Sequence, residues 1–319
     1  MNGWESRLLA PPRSDTPLRE RIELLLAQQR SAWPLLREGE AALDSIRTKR
    51  LFLDGSPVVV QANPGRSIST NAKVDPASIA ARPCFLCPAS LPQPERGIAF
   101  GDFIVLPNPY PILQRHVTIA YHHHDPQRLP EHAGDMLALA KALGPDMFVL
   151  YNGPRCGASA PDHMHFQACL SGGIPLFEQL PSTDEADRIT PLAIGGRNLV
   201  ACLARDPIYA QSSLQQLIAA LGRIRGGDEE PMFNVIALYR DNRYAVAFFP
   251  REKHRSGCYF AQAEQRLSIS PAAIEMAGIV VVADGTHFDR VDEAALRSMY
   301  GEVTIGNDSF SRLVGEINQ

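Results

Sequence analysis

A period-two alternation of polar and apolar residues is the clearest pattern in the middle of the chain. It covers residues 162–167 and predicts a β-strand. In that strand His163, His165 and Gln167 share one face, while the apolar residues between them point the other way. The pattern therefore predicts a site on one face of the strand and a core anchor on the other.

Similar patterns predict further elements along the chain. Apolar runs bounded by turn residues predict strands at 57–62, 98–106, 115–121, 147–151, 233–239 and 244–249. The last two strands flank residues 240–243, and two strands around a short polar turn predict a hairpin. Helical periodicity predicts helices at 18–48 with a kink at Pro34, and at 131–143, 213–224 and 271–282. A strand pair that ends in a histidine-bearing turn occurs in both halves and suggests a weak duplication.

Strands outnumber helices and mostly follow one another directly, so the predicted fold class is α+β with an antiparallel sheet. The composition is globular, with 319 residues, 45% hydrophobic and 21% charged. A net charge of −4 argues against a nucleic-acid binder. No apolar run approaches the ~20 residues of a membrane helix, and the N-terminus does not resemble a secretory signal. Six cysteines are few for a disulfide scaffold, which favours a cytoplasmic protein with one metal-type pair.

That pair is the CxxC motif of Cys84 and Cys87. Two thiolates at this spacing can bind one tetrahedral zinc ion. The sequence has no second CxxC, so the remaining ligands have to be histidines or carboxylates. The candidates are His116, the run 122–124 and His163. The alternative interpretation is two core cysteines.

A loop with donors suited to phosphate lies directly before the histidine strand. It begins at Asn152, and its candidate phosphate ligands are Arg155, Ser159 and the backbone amides of Gly157 and Ala158. A neutral imidazole can attack phosphorus, and an amide such as that of Gln167 can donate to the phosphate oxygens without adding charge. The alternative is that both histidines of the strand are buried for structural reasons.

Taken together, Asn152, residues 157–159 and His163-x-His165-x-Gln167 resemble a known active-site segment. It belongs to the galactose-1-phosphate uridylyltransferase branch of the histidine-triad superfamily, which includes diadenosine tetraphosphate phosphorylases and GDP-hexose phosphorylases. The resemblance covers roughly residues 57–285. It implies two histidine-triad-like halves around a mainly antiparallel sheet. The expected division is a helical extension over 1–56, a first half over 57–180 and a second half over 181–319.

The resemblance also implies a mechanism of nucleotidyl transfer in two steps. His165 attacks the α-phosphorus of a nucleotide sugar or dinucleoside polyphosphate, and Gln167 stabilises the nonbridging oxygens. Inorganic phosphate or a sugar phosphate then accepts the nucleotidyl group. Hydrolases of the superfamily have a third histidine at the Gln167 position, so this residue favours transfer or phosphorolysis over hydrolysis.

The zinc ligands that the resemblance implies are Cys84, Cys87, His124 and His163. His116 and His124 also fit two histidines of smaller histidine-triad proteins. Met164 stands where many uridylyltransferases have proline, so a UDP-hexose is not favoured. The zinc pattern is nevertheless closer to the uridylyltransferases than to the phosphorylases, which indicates a distinct branch.

Basic residues elsewhere are candidates for holding distal phosphates. They are Arg66, Lys73, Arg251 and His254. A solvated surface turn is the alternative for each of them. Two other functions stay open: a hydrolase of nucleotide conjugates, and a non-catalytic, zinc-stabilised nucleotide-binding protein. The sequence selects neither the base nor the sugar, and it leaves open whether the chain forms a homodimer.

Overall fold

The computed structural model describes residues 3–66, 75–181, 186–227 and 229–317. Twelve strands occur in this part of the chain: β1 (Arg47–Leu53), β2 (Ser56–Ala62), β3 (Ile98–Phe100), β4 (Phe103–Pro107), β5 (Val117–Tyr121), β6 (Met147–Asn152), β7 (His165–Leu170), β8 (Arg188–Ile194), β9 (Arg197–Ala204), β10 (Phe233–Arg240), β11 (Arg243–Pro250) and β12 (Ile279–Val282).

The α-helices of the same residues are α1 (Leu18–Ala32), α2 (Pro34–Ala42), α3 (Pro76–Ala80), α4 (Ala133–Leu143), α5 (Pro175–Gln179), α6 (Pro207–Arg225), α7 (Gly257–Phe260), α8 (Ala273–Met276), α9 (Gly285–Arg290), α10 (Glu293–Val303) and α11 (Asn307–Ile317). Among the described residues no helix combines the length and apolar character that crossing a bilayer requires.

Nine strands form one sheet in the order β3-β4-β5-β7-β6-β10-β11-β9-β8. Every neighbouring pair is antiparallel. The order first-second-fourth-third occurs twice, as β4-β5-β7-β6 and as β8-β9-β11-β10. Each set has a long helix between its second and third strands, α4 in one and α6 in the other, and the two third strands pair at the centre. The predicted α+β class with an antiparallel sheet is confirmed.

The sheet separates two hydrophobic cores. The first contains residues of α1, α4 and α6, and it receives Phe166 and Ala168 from β7. The second lies on the opposite face, contains residues of β2, β12, α8 and α10, and receives Cys169 from β7. Because side chains alternate along a strand, His165 and Gln167 share the face of Cys169. The site is therefore built on the side of the second core.

A small sheet of order β1-β2-β12 covers that second side, with β2 and β12 parallel. Two strands of this sheet, β1 and β12, occupy the ends of two predicted helices, whose predicted bounds are therefore wrong. The helix predicted over 18–48 breaks at Trp33, because Pro34 starts a new helix, and the chain is already extended at Arg47. The helix predicted over 271–282 ends at Met276, and Gly278 with φ +97° leads into the β-branched strand β12.

The histidine strand is also shifted relative to its prediction. β7 begins at His165, whereas His163 lies in the preceding turn with its backbone N–H donating to the Ala160 carbonyl. The predicted strand over 98–106 is a hairpin of β3 and β4, and the predicted hairpin of β10 and β11 is confirmed. β8 and β9 had no predicted counterpart. The division into an extension and two halves stays a prediction, and the β1–β2 hairpin spans its first boundary.

Candidate active site and metal cluster

The loop between β6 and β7, residues 153–164, forms one wall of a cavity. Gly157 has φ +115°, and a Cβ at this position would lie 2.5 Å from the Cβ of Ala272. No larger residue fits between the loop and the start of α8 without a shift. The glycine thus lets the loop approach the second half of the chain closely.

Asn152 ends β6 at the base of this loop and is buried. Its Oδ1 accepts hydrogen bonds from the Asn234 Nδ2 at 3.0 Å and from the Ala273 backbone N–H at 2.8 Å. With the oxygen bound in this way, the amide orientation is fixed. The Nδ2 group has no protein partner among the described residues, and it is not sealed from solvent. Asn152 therefore presents a donor.

His165 lies at the start of β7 and is also buried, at 4% exposure. Its Nδ1 is 2.8 Å from the carbonyl oxygen of His163, to which only a protonated Nδ1 can donate. The Nε2 atom consequently carries the lone pair of the neutral ring, and no described residue bonds it. Burial lowers the pKa of His165 to about 4, so the ring is neutral near pH 7. This is the protonation state that a nitrogen nucleophile requires.

Gln167, two residues further along the same face, is oriented by His116. The His116 Nδ1 accepts from the backbone N–H of Ile112 at 3.1 Å, so its Nε2 carries the proton and donates to the Gln167 Oε1 at 2.7 Å. Burial, together with the nearby Arg66 cation, lowers the pKa of His116 to about 3, which keeps the ring neutral. The Gln167 amide nitrogen is left without a protein partner among the described residues. His116 was predicted as a zinc candidate, and the structure places it behind Gln167.

The cavity that these groups line has a volume of about 660 Å³, part of which is open to solvent. Its wall combines residues from 66–167 with residues from 254–281. From the predicted set it includes Asn152, Gly157, Ala158, Ser159, Gln167, Arg66 and His254. His165 is not among the lining residues, although it lies next to Gln167 on the same strand face.

Positive charge dominates the distal wall of the cavity. Arg66 donates to the Tyr110 carbonyl oxygen at 2.7 Å, and the Arg255 Nε donates to the Ser270 Oγ at 2.8 Å. The Ser270 Oγ also lies 3.0 Å from the His254 Nε2. Burial, with Arg255 and Arg251 nearby, lowers the pKa of His254 to about 3. The guanidinium groups of Arg66 and Arg255 on this wall favour an anionic ligand.

One carboxyl group also lines this cavity. Glu275 accepts from the Ala272 backbone N–H at 2.8 Å, and burial raises its pKa to about 7. The sequence predicted neither Glu275 nor Ser270 as a site residue, because their place in the cavity wall depends on how α8, which packs against β6 and β10, and the loop before it are arranged. Arg255, which directly follows the predicted residue His254, was not predicted as a site residue.

Two predicted phosphate ligands, Arg155 and Arg251, do not line the cavity. Arg155 pairs with Glu229 at 3.3 Å and donates to the Glu230 carbonyl oxygen at 3.0 Å. Arg251 is fully buried, and its guanidinium donates to the Asn234 Oδ1 and to carbonyl oxygens, among them those of Val303 and Pro271. Arg251 therefore holds loops together rather than a ligand. Lys73 lies outside the described residues.

Cys84, Cys87, His124 and His163 form a compact cluster whose ligand atoms all lie within 4.8 Å of one another. The Cys84 Sγ is 3.3 Å from the His163 Nδ1, and the Cys87 Sγ is 3.3 Å from the His124 Nδ1. The His163 Nε2 donates to the Tyr121 carbonyl oxygen at 2.8 Å, which leaves the lone pair of the neutral ring on Nδ1, facing the two thiols. The four residues can therefore hold a metal ion, as two thiols and two imidazoles suit a tetrahedral cation.

Comparison with known proteins gives two matches to family models. Residues 25–170 match a domain of unknown function, DUF4922. Residues 211–319 match the GDPGP1-like C-terminal domain. No curated protein sequence matches the chain.

Solved structures of yeast Ap4A phosphorylase Apa2 superpose on most of the chain. The structure in complex with Ap4A has a TM-score of 0.60 at 14% identity and covers 87% of this chain and 95% of its own. The structure in complex with AMP has a TM-score of 0.54 at 16% identity and covers 85% of this chain and 94% of its own. A third structure of the same enzyme has a TM-score of 0.56 at 14% identity, with the same coverage. The chain shares the Ap4A phosphorylase fold. This fold and the GDPGP1-like match agree with the resemblance that the motif residues show.

Proposed function

We propose that this protein is a nucleotidyltransferase of the phosphorylase type, acting on a nucleotide sugar or a dinucleoside polyphosphate. The observation that carries the proposal is the hydrogen bond between the His165 Nδ1 and the His163 carbonyl. It fixes a neutral ring with its lone pair on Nε2. The shared fold with a nucleotide phosphorylase and the GDPGP1-like match support the same class.

In the first step the His165 Nε2 attacks the α-phosphorus, forming a P–N bond as the bond to the leaving phosphate oxygen breaks. The leaving group departs with the electron pair. The ring then carries positive charge, which the Nδ1–H···O=C bond to His163 stabilises. Donors on Asn152 and Gln167 stabilise the nonbridging oxygens, because the oxygen atoms of both side-chain amides are already bound within the protein.

In the second step an oxygen of inorganic phosphate attacks the same phosphorus, and the P–N bond breaks to return neutral His165. Arg66 and His254 on the distal wall are proposed to hold the phosphate groups that lie beyond the α-phosphorus. A sugar phosphate is the alternative acceptor. Gln167 in place of a third titratable histidine favours these acceptors over water.

Cys84, Cys87, His124 and His163 are proposed to bind zinc. The ion would cross-link the CxxC turn to the turn that precedes β7 and would take no part in bond making. Since the carbonyl of His163 also holds the nucleophile, the metal cluster and the active site share one residue.

The test is single-turnover labelling with Ap4A and a GDP-hexose, each radiolabelled at the α-phosphate. We expect wild-type protein to form an acid-labile covalent adduct, and phosphate to discharge it as a nucleoside diphosphate. His165→Ala should lower turnover by at least about 10³-fold and abolish the adduct. His287→Ala, a half-exposed histidine of α9, is the matched control and should leave both unchanged.

Two results would contradict the proposal. The first is turnover without any adduct, and the second is nucleoside monophosphate as the product at a rate independent of phosphate. The second result would make the protein a hydrolase. Binding of both nucleotides without turnover would instead support a non-catalytic nucleotide-binding protein.

A further inference from the structure

The pairing of β6 with β7 stops just short of the two residues that the proposed chemistry needs. The last backbone pair is Leu150 with Gln167. In the same register Asn152 would stand opposite His165, yet these two residues are not paired. Each residue is still paired with the strand on its other side, His165 with Ala120 and Asn152 with Asn234, but the ladder between β6 and β7 does not set their spacing at the site.

The side chain of Gln127 fills this gap. Its Nε2 donates to the backbone carbonyl of Asn152 at 2.9 Å and to that of His165 at 3.0 Å. Its Oε1 accepts from the backbone N–H of His165 at 2.8 Å. One carboxamide thus replaces the missing ladder bonds and uses both of its donors.

Gln127 is itself firmly held. It is 1% exposed, and its backbone N–H donates to the carbonyl oxygen of Pro161 in the loop between the two strands at 3.0 Å. It follows His124 of the metal cluster by three residues. The segment after β5 therefore connects the cluster, the loop and both strands.

We propose that Gln127 is a positioning residue for the nucleophile, an inference that rests on the proposed function through the role of His165. The ring of His165 is tied to the backbone of His163, so the ring moves with the backbone of residues 163–165. Gln127 binds both backbone polar groups of His165 and joins them to the strand that carries Asn152. It fixes the distance between the attacking nitrogen and a donor to the phosphate oxygens.

Only a carboxamide of this length meets the requirement. Methionine has similar volume but neither donates nor accepts strongly, and a glutamate carboxylate would face two carbonyl oxygens without a proton to donate. Asparagine keeps the amide but is one methylene shorter, so it cannot span all three partners. A misplacement of about 1 Å at a reacting atom can lower a rate by about 10²-fold.

The experiment compares Gln127→Met with Gln29→Met. Gln29 is an equally buried glutamine of α1 whose Oε1 accepts from the Arg96 backbone N–H at 2.8 Å, on a helix that packs in the first core. Three quantities are measured: the single-turnover rate of adduct formation from radiolabelled Ap4A and GDP-hexose, KM, and amide hydrogen exchange of the peptide that contains His165.

We expect Gln127→Met to slow adduct formation by about 10- to 100-fold. KM should stay within about threefold, because Gln127 is not a residue of the cavity wall. The His165 amide should exchange faster than in wild type. Gln29→Met should also lose thermal stability, by a smaller amount because its side chain makes one hydrogen bond where that of Gln127 makes three, and it should keep the wild-type rate. Should Gln127→Met fail to fold, Gln127→Asn replaces it, with a smaller decrease of the same kind.

Adduct formation within about threefold of wild type in the Gln127 variant would overturn the inference and leave the proposed function intact. An equal decrease in the Gln29 variant would also overturn it, since the effect would then be one of general stability. If wild-type protein forms no adduct at all, the proposed function fails, and the positioning role fails with it. Faster exchange of the His165 amide would in that case still report the hydrogen bonds of Gln127.

Discussion

The two strand sets of the large sheet have the same order but very different connections between their third and fourth strands. β6 and β7 are joined by residues 153–164, which carry Gly157, line the cavity and supply His163. β10 and β11 are joined by Asp241 and Asn242 alone, both with positive φ, in a tight hairpin. The sheet order is repeated, and the candidate chemistry is confined to the set with the long connection.

The second set contributes in another way. Because β6 and β10 run antiparallel, Asn152 at the end of β6 lies opposite Asn234 near the start of β10. The chain that leaves β11 therefore starts at the same end of these central strands, and its residues His254 and Arg255 reach the distal wall of the cavity. β7 supplies the proposed nucleophile, and the segment after β11 adds His254 and Arg255 to the basic wall that also contains Arg66.

The largest expected effect is on metal binding by the cluster of Cys84, Cys87, His124 and His163. Cys84→Ser removes one thiol of the cluster, and we expect the bound zinc to fall from about one ion per chain to near zero. The protein should lose about 3 kcal/mol or more of stability, or roughly 5 °C or more in Tm. Elemental analysis and thermal unfolding measure the two effects.

The control for this experiment is Cys258→Ser. Cys258 is a half-buried cysteine beside Ser256, outside the cluster. It should leave the metal content unchanged. Wild-type protein without metal after expression in zinc-containing medium would refute the zinc proposal.

A smaller effect is expected from Gln167→Leu. The change removes one donor to the phosphate oxygens and leaves the His116 Nε2 without its acceptor, so kcat should decrease about 100-fold, or about 2.7 kcal/mol. Single-turnover labelling measures the adduct-forming step directly. Gln215→Leu, on the exposed face of α6, should keep the wild-type rate. A Gln167→Leu rate within about threefold of wild type would show that the amide has no part in the reaction.

The smallest expected effect concerns a carboxyl group that joins the segment before β10 to β6. Glu230 precedes β10, yet its carboxylate accepts from the Tyr151 hydroxyl at 2.5 Å and from the Leu129 N–H at 2.7 Å. Burial raises its pKa from 4.5 to about 7. The folded protein therefore retains the proton up to about pH 7, whereas the unfolded chain loses it near pH 4.5. Stability attributable to this group should fall as the pH rises through that window.

We expect wild type to lose about 1–3 kcal/mol relative to Glu230→Gln between pH 5 and pH 8. Denaturant unfolding at several pH values measures the difference. Glu229→Gln is the matched control, because Glu229 is an exposed neighbour that pairs with Arg155. A stability difference that is constant with pH would show that Glu230 is ionised in the folded protein throughout.

The local pattern of the sequence predicted much of the sheet and the motif residues of the candidate site. Strands such as β5, β6 and β10 are apolar runs bounded by turn residues, and their prediction needs no long-range information. The CxxC spacing predicted the two cysteines of the metal cluster, and the resemblance selected His124 and His163 from several candidate histidines; the structure brings these four residues together. The resemblance of the His165 segment selected a branch whose fold the chain shares.

Tertiary structure alone decided how these residues are oriented and which partners complete them. Nothing near Gln127 in the sequence indicates that its amide replaces the ladder between β6 and β7, because its partners lie 25 and 38 residues away. Arg251 was predicted as a phosphate ligand, but its guanidinium donates to carbonyl oxygens of two distant segments, at Val303 and Pro271, and to that of nearby Lys253. Local periodicity determines strands and helices, since those depend on near neighbours. The protonated nitrogen of His165 and the free amide of Gln167 depend on hydrogen bonds that only the folded chain provides.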